Sequence, residues 1–151
     1  MSNIESLKKA QLFAGLSQDE LESVAALCES RTFEEGQTIL GQGDTSTELY
    51  IIEQGMVEVS LTIGADISTP LLNLGAGQVF GEMALIDQGA RSATVKVMEG
   101  PTVVSTISHD AFLNLCESNH HLGFIVMRNL AAEMSLKLRF RNISEQMGSI
   151  S

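Results

Sequence analysis

Residues 80–95 read Phe80-Gly81-Glu82-Met83-Ala84-Leu85-Ile86-Asp87-Gln88-Gly89-Ala90-Arg91-Ser92-Ala93-Thr94-Val95. The run starts as a strand end, passes a glycine into one short helical turn, crosses a glycine-containing loop and an arginine, and enters a new strand. A glycine at the head of a helical turn lets another group approach the backbone closely, and the first N–H groups of the turn have no partner inside it. Those amides and the turn dipole favour an anionic oxygen. Arg91 can add a two-pronged, charge-assisted contact to the same anion, worth about 1.5–3 kcal/mol net. Glu82, at the start of the turn, can accept hydrogen bonds from vicinal sugar hydroxyls. An acid beside a bound phosphate is costly unless it faces such donors.

The surroundings of Arg91 strengthen this reading. Between Arg31 and Arg91 there is no Lys or Arg, while the segment carries nine acids, from Glu34 to Asp87. Arg91 is thus an isolated cation at the end of a long acidic stretch. The whole chain has net charge −10 and a pI of about 4.6. That balance argues against nucleic acid as the main partner, because neutralising phosphates requires clustered cations. With 151 residues, 44% hydrophobic and 19% charged, the chain fits one globular domain with a proper core. It has no apolar run long enough to span a membrane and no secretory signal at its start. Cys28 and Cys116 sit in apolar helical patterns and read as reduced, buried thiols of a cytoplasmic protein.

Outward from this stretch, residues 32–107 have the texture of short strands punctuated by glycine, with Gly36, Gly41, Gly43, Gly55, Gly64, Gly75, Gly77 and Gly81 between apolar runs. The clearest strand is Val57 to Ile63, where Val57, Val59, Leu61 and Ile63 alternate with Glu58, Ser60 and Thr62. Thr94 to Met98 and Thr102 to Ile107 supply further β-branched runs. Such spacing predicts a jelly-roll β-barrel. Residues 1–31 read as helical: Ile4 to Phe13 is amphipathic, and Ser17-Gln18-Asp19-Glu20 is a capping box ahead of Leu21, Val24, Ala25 and Cys28. After residue 108 the helical period returns, with Ser108 capping a helix through Glu117 and Asn119 capping a longer one from His120 to about Gln146. A single domain is expected: N-terminal helices over 1–31, barrel over 32–107, C-terminal helices over 108–146.

The segment 80–95 closely resembles the phosphate-binding cassette of the cyclic nucleotide-binding domains of bacterial cAMP receptor proteins, protein kinase A regulatory subunits and cyclic-nucleotide-gated channels. Phe33, Gly36, Ile39, Gly43-Asp44, Leu49-Tyr50-Ile51-Ile52, Gly55 and Val57 also match that family's pattern. The similarity runs from Leu12-Phe13-Ala14-Gly15-Leu16 to the long C-terminal helix. It implies a cyclic nucleotide as ligand, with Gly81 and the Ala84 and Leu85 amides lining the phosphate site and Met83 and Ala93 beside it. Glu82 would take the ribose 2′-hydroxyl, and Arg91 with Ser92 the cyclic phosphate. Val59 and Leu71 would flank the base, and Arg141 and Asn142 would cap the purine. Many members carry Pro before the arginine, where this chain has Ala90. Bacterial members favour cAMP over cGMP, whereas a hydroxyl at Ser92 can bond either the phosphate or a guanine amino group.

Blander readings stand beside these. Arg91 can be a structural partner of Asp87 or Glu82, and Glu82 a plain dipole-stabilising acid. His120-His121 are adjacent and face different ways, so they make no metal site. Lys137, Arg139 and Arg141 read as a solvated helix face. The chain contains no catalytic constellation or metal set, so a non-enzymatic binding domain without a cofactor is expected. Because the family's DNA-binding winged helix would follow the long helix and the chain ends at Ser151, the expectation is a stand-alone sensor. Its long helix closes as a lid and pairs with a second copy or a partner through the apolar surface Leu122 to Leu138. The alternative is a protein-interaction domain of the same fold that does not bind cyclic nucleotide or responds to another ligand.

Overall fold

A computed structural model describes residues 4–63, 67–86 and 91–150, with residues 137 and 140–150 described by their backbone alone. The chain begins with α1 (Ile4–Lys9), a 3-10 turn (Gln11–Phe13) and α2 (Gln18–Ala25). The capping box forms as expected: the Glu20 amide donates to Ser17 Oγ at 3.2 Å and the Ser17 amide to Glu20 Oε1 at 3.0 Å. The strands follow as β1 (Glu29–Phe33), β2 (Thr38–Leu40), β3 (Leu49–Ile63), β4 (Ile67–Gly75), β5 (Val79–Phe80) and β6 (Thr94–Ile107). A 3-10 turn (Glu82–Leu85) separates β5 from β6, and α3 (His109–Ser118) and α4 (His120–Ile150) close the chain. Ser108 caps α3 by accepting from the Ala111 amide, and Asn119 caps α4 by accepting from Leu122.

The strands form one antiparallel, six-stranded jelly-roll sheet in the order β1-β6-β3-β4, with β2 on β6 and β5 on β3. Among the described residues it does not close into a barrel. It folds over because β3 and β6 are long and serve different neighbours along their lengths. β3 therefore runs straight through Gly55, where glycine spacing in the sequence implies a break. Gly55 has φ +100°, and a Cβ there would run into Thr102, so only glycine permits this bend at such close approach.

The even alternation expected from Val57 to Ile63 is not kept. Val57 is fully buried, Ser60 is buried and Ile63 is 60% exposed. A bulge lies between Val59, which pairs with Leu72, and Ser60, which pairs with Pro70. Pro70 has no N–H for the ladder, so it is tolerated where the register shifts. The extra residue on β4 is Leu71.

Two cores result. Leu49, Ile51 and Ile107 face the helices and pack with Leu7, Phe13, Val24 and Phe112 and with α4 residues. Tyr50, Ile52, Val57, Phe80, Val95 and Val104 fill the inside of the folded sheet. On α4, Leu122, Ile125, Val126 and Leu130 are buried at helical spacing. Half of the apolar surface expected to await a partner is thus spent on this chain's own core. Phe124 (62%), Leu136 (55%) and Leu138 (59%) stay exposed.

Candidate functional site

Gly81 sits between the end of β5 and the 3-10 turn at φ +79°. A Cβ on it would lie 3.0 Å from both Arg91 Nη1 and the Glu48 carbonyl oxygen and 3.4 Å from the Tyr50 ring. Below it, Tyr50 and Phe80 are cross-strand partners whose rings stack at 4.9 Å with 2° between planes. Sequence and packing agree here: two aromatic residues in register form a flat pair, and a residue without a side chain lets the Arg91 guanidinium, the Glu48 carbonyl and the Tyr50 ring come close to the backbone.

Arg91 is 8% exposed. Its Nη2 donates to the Glu48 carbonyl at 2.6 Å, its Nη1 to the Gly81 carbonyl at 3.0 Å and its Nε to Ser46 Oγ at 3.3 Å. None of these acceptors is a carboxylate, so the reading of Arg91 as the ion-pair partner of Glu82 is not what holds it; Asp87 lies outside the described residues. Among the described residues three of its five N–H groups have acceptors, which leaves one on each terminal nitrogen to meet oxygens of a phosphate. The backbone is held as well. The Arg91 amide donates to the Asp44 carbonyl at 2.7 Å, and the Gly43 amide to the Arg91 carbonyl at 2.9 Å. The Asp44 side chain in turn accepts from the Gly41 amide at 2.8 Å. Desolvation lowers the Arg91 pKa from its ordinary value, against the pull of Tyr50, Glu48, Glu82 and Asp44, and a guanidinium so placed stays charged.

Glu82 is 6% exposed. In the turn, Ala84 N–H donates back to the Gly81 carbonyl at 3.2 Å, so that amide is occupied rather than presented. The amides ahead of it, those of Glu82 and Met83, precede the first bond of the turn. Leu85, whose amide is the group expected at the phosphate, buries its side chain in the helical core.

These groups open onto one cavity of about 1010 Å³. Gly81, Glu82, Met83, Ala84, Arg91, Ser92, Ala93 and Val59 all line it; Leu85 and Leu71 do not. Leu71 is the bulged residue and is 53% exposed, while Leu72 and Leu74, opposite Val59 and Val57, take the apolar wall. From α4 the lining residues are Glu133 and Met134, two turns earlier than the expected Arg141 and Asn142, whose side chains lie outside the described residues. The N-terminal segment adds Lys9, Gln11 and Leu12, which the sequence reading missed altogether. Nothing in their local pattern marks them; only the packing of the N-terminal turn against α4 brings them to the cavity.

The family model described as the cyclic nucleotide-binding domain matches residues 30–119. The chain belongs to that family. It is 32% identical over 88% of its length to the cyclic AMP receptor protein of Thermus thermophilus, covering 59% of that protein. It is 36% identical over 90% of its length to Glutaminase 1 of Bradyrhizobium diazoefficiens, covering 21% of it. The chain therefore spans between a fifth and three fifths of these relatives. Among solved structures, the Thermus thermophilus catabolite activator protein superposes with a TM-score of 0.83 at 30% identity, covering 93% of this chain and 63% of that one. A cyclic nucleotide-binding domain from Methylobacillus flagellatus gives 0.78 at 27% identity, covering 98% and 82%. Within this cyclic nucleotide-binding domain the matched range includes residues 80–95, of which 87–90, with Ala90, lie outside the described residues.

Burial pushes the Cys28 thiol up to about 11, with help from Glu53, and burial also raises Cys116; both are free thiols. His121 bonds Glu20 Oε2 through Nδ1 at 2.9 Å. Among the described residues no three His, Cys, Asp or Glu side chains group as metal ligands, and no helix is long and apolar enough to cross a membrane.

Proposed function

We propose that this domain binds a cyclic nucleotide monophosphate, cAMP in preference to cGMP, and transmits binding through α4. The observation that carries this is Arg91: a buried guanidinium fixed by two carbonyls and a hydroxyl, with two donors left over beside Gly81. The cyclic phosphate is held by Arg91, Ser92 and the amides at the start of the 82–85 turn, with Met83 and Ala93 beside it. Glu82 accepts from the ribose 2′-hydroxyl, and the base lies against Val59, with Leu72 in the place first given to Leu71. Similarity to a protein named cyclic AMP receptor protein supports adenine.

α4 brings Glu133 and Met134 to the cavity, so a ligand touching them shifts α4 toward its closed seat. Such a shift requires contacts that exist only in that state. Exposed Phe124, Leu136 and Leu138 support pairing with a second copy or a partner protein. Residues 1–151 act as one binding unit, cytoplasmic in setting, that carries out no reaction itself and needs no cofactor; the acidic balance supports a partner other than nucleic acid. An interaction domain of the same fold that has lost the ligand has no reason to keep Gly81, Glu82 and Arg91 together.

Calorimetric titration with cAMP and cGMP, on wild type and Arg91→Ala, tests the reading. Sub-millimolar binding by wild type, tighter for cAMP and weakened at least about tenfold in the variant, is expected, since a charge-assisted contact is worth about 1.5–3 kcal/mol. If wild type binds neither nucleotide at sub-millimolar concentration, the reading is wrong.

A further inference from the structure

The cavity has two ends, separated by β5. Gly81 and Arg91 mark one. Gly77 marks the other, four residues earlier and so at most about 13 Å away along the chain. Over Gly77 lies the stem of Lys9: a Cβ built on Gly77 would stand 2.8 Å from Lys9 Cβ and 3.4 Å from its Cδ. Gln11 lines the same cavity from the turn that follows.

This N-terminal segment is fastened at that position. Asn129 on α4 donates to the Leu12 carbonyl at 3.0 Å and the Ala14 carbonyl at 2.8 Å. Leu12 and Phe13 are buried in the helical core. Gly15, at φ +97°, lets the chain turn 3.5 Å from Ile125. Lys9 and Gln11 are therefore presented to the cavity by a pinned turn, not by a loose terminus. With Val59, Leu72 and Leu74 in the same lining, the cavity offers an apolar wall, and Lys9 and Gln11 add a polar rim, to match the face and the edge of a purine.

We infer that Lys9 and Gln11 read the purine edge of the bound nucleotide and set its selectivity. This rests on the cyclic-nucleotide reading above. The Lys9 ammonium has donors only, which suit the N7 and O6 acceptors of guanine, whereas adenine shows it N7 alone beside an amino group. The Gln11 amide has a donor and an acceptor, which suit adenine N7 and N6. The two side chains pull selectivity in opposite directions, and the domain's preference is their balance.

The test is the ratio of cAMP to cGMP affinity in wild type, Lys9→Met, Gln11→Leu and the control Lys8→Met, by calorimetry. Lys8 pairs with Glu5 at 3.6 Å and does not line the cavity. Lys9→Met is expected to weaken cGMP about three- to tenfold more than cAMP, and Gln11→Leu to weaken cAMP by a similar factor more than cGMP, as one hydrogen bond is worth. Lys8→Met leaves the ratio unchanged. Ratios within twofold of wild type in both variants, or an equal change in the Lys8 control, overturn the inference while leaving nucleotide binding intact. Failure of wild type to bind either nucleotide removes the functional reading instead, and this inference with it.

Discussion

The two ends of the cavity are built by opposite means. At the Arg91 end, most contacts are made by backbone: carbonyls of Gly81 and Glu48 hold the guanidinium with the Ser46 hydroxyl beside them, and the Asp44 and Gly43 backbone holds the residue that carries it. At the Lys9 end, the lining comes from three separate elements, the N-terminal turn, β4 and α4, brought together by helix packing and by Asn129. Backbone-built sites are preorganised and depend on few residue types, chiefly glycine where a side chain cannot fit. Packed sites depend on the seating of the elements, and so they are where a ligand can move something. The comparison assigns anchoring to one end and selectivity with transmission to the other.

The largest expected effect breaks the anchoring end. Gly81→Ala places a side chain at φ +79° and sets its Cβ 3.0 Å from Arg91 Nη1 and the Glu48 carbonyl. The left-handed conformation alone costs about 1–2 kcal/mol, and displacement of Arg91 adds a loss of nucleotide affinity of about 10- to 150-fold, the equivalent of the lost two-pronged charge-assisted contact. Thermal melting and calorimetry on the same variant measure the two parts. A variant that binds like wild type would show that Arg91 does not need this seat.

Next comes the seating of the other end. Asn129→Ala leaves the Leu12 and Ala14 carbonyls without their side-chain donor, at a cost of about 1–2 kcal/mol. Amide hydrogen exchange is expected to accelerate around residues 10–16 while the amides of Gly43 and Arg91 keep wild-type protection. Equal acceleration at both ends would erase the distinction between them.

The smallest effect concerns the junction that keeps α4 over the N-terminal helices. Glu20 is held down to about 2, from an ordinary 4.5, chiefly by the Ser17 backbone N–H and then by His121. Its folded pKa lies below its unfolded one, so its contribution is fully present above about pH 4.5 and is lost as pH falls toward 2. Wild type should therefore lose more stability across that window than Glu20→Gln, as followed by denaturant midpoints; parallel curves would mean that Glu20 contributes nothing at the junction.

The same contrast explains what could be read in the sequence. Gly81, Glu82 and Arg91 lie within eleven residues, and the chemistry of an anion site is written in their types and spacing. The capping box at Ser17 and the caps at Ser108 and Asn119 are equally local, and all three form. The resemblance points to Leu71 at the base, but a bulge between Val59 and Ser60, admitted by Pro70, leaves Leu71 unpaired and sets Leu72 opposite Val59, and nothing in the local sequence marks that shift. The continuous β3 and β6 were divided at glycines that bend a strand without ending it. Lys9 and Gln11 are some seventy residues from the cassette, and an exposed lysine on a short helix looks like any other until α4 is packed beside it.

In the proposed complex Arg91 turns the N–H groups that have no acceptor among the described residues to the ligand's phosphate. The most direct measurement is the NMR signal of the Arg91 guanidinium during titration of the wild-type domain with cAMP. The signal is expected to shift and to saturate at one equivalent, together with the heat of binding. Heat released while the Arg91 signal stays in place would put the nucleotide elsewhere and contradict this expectation.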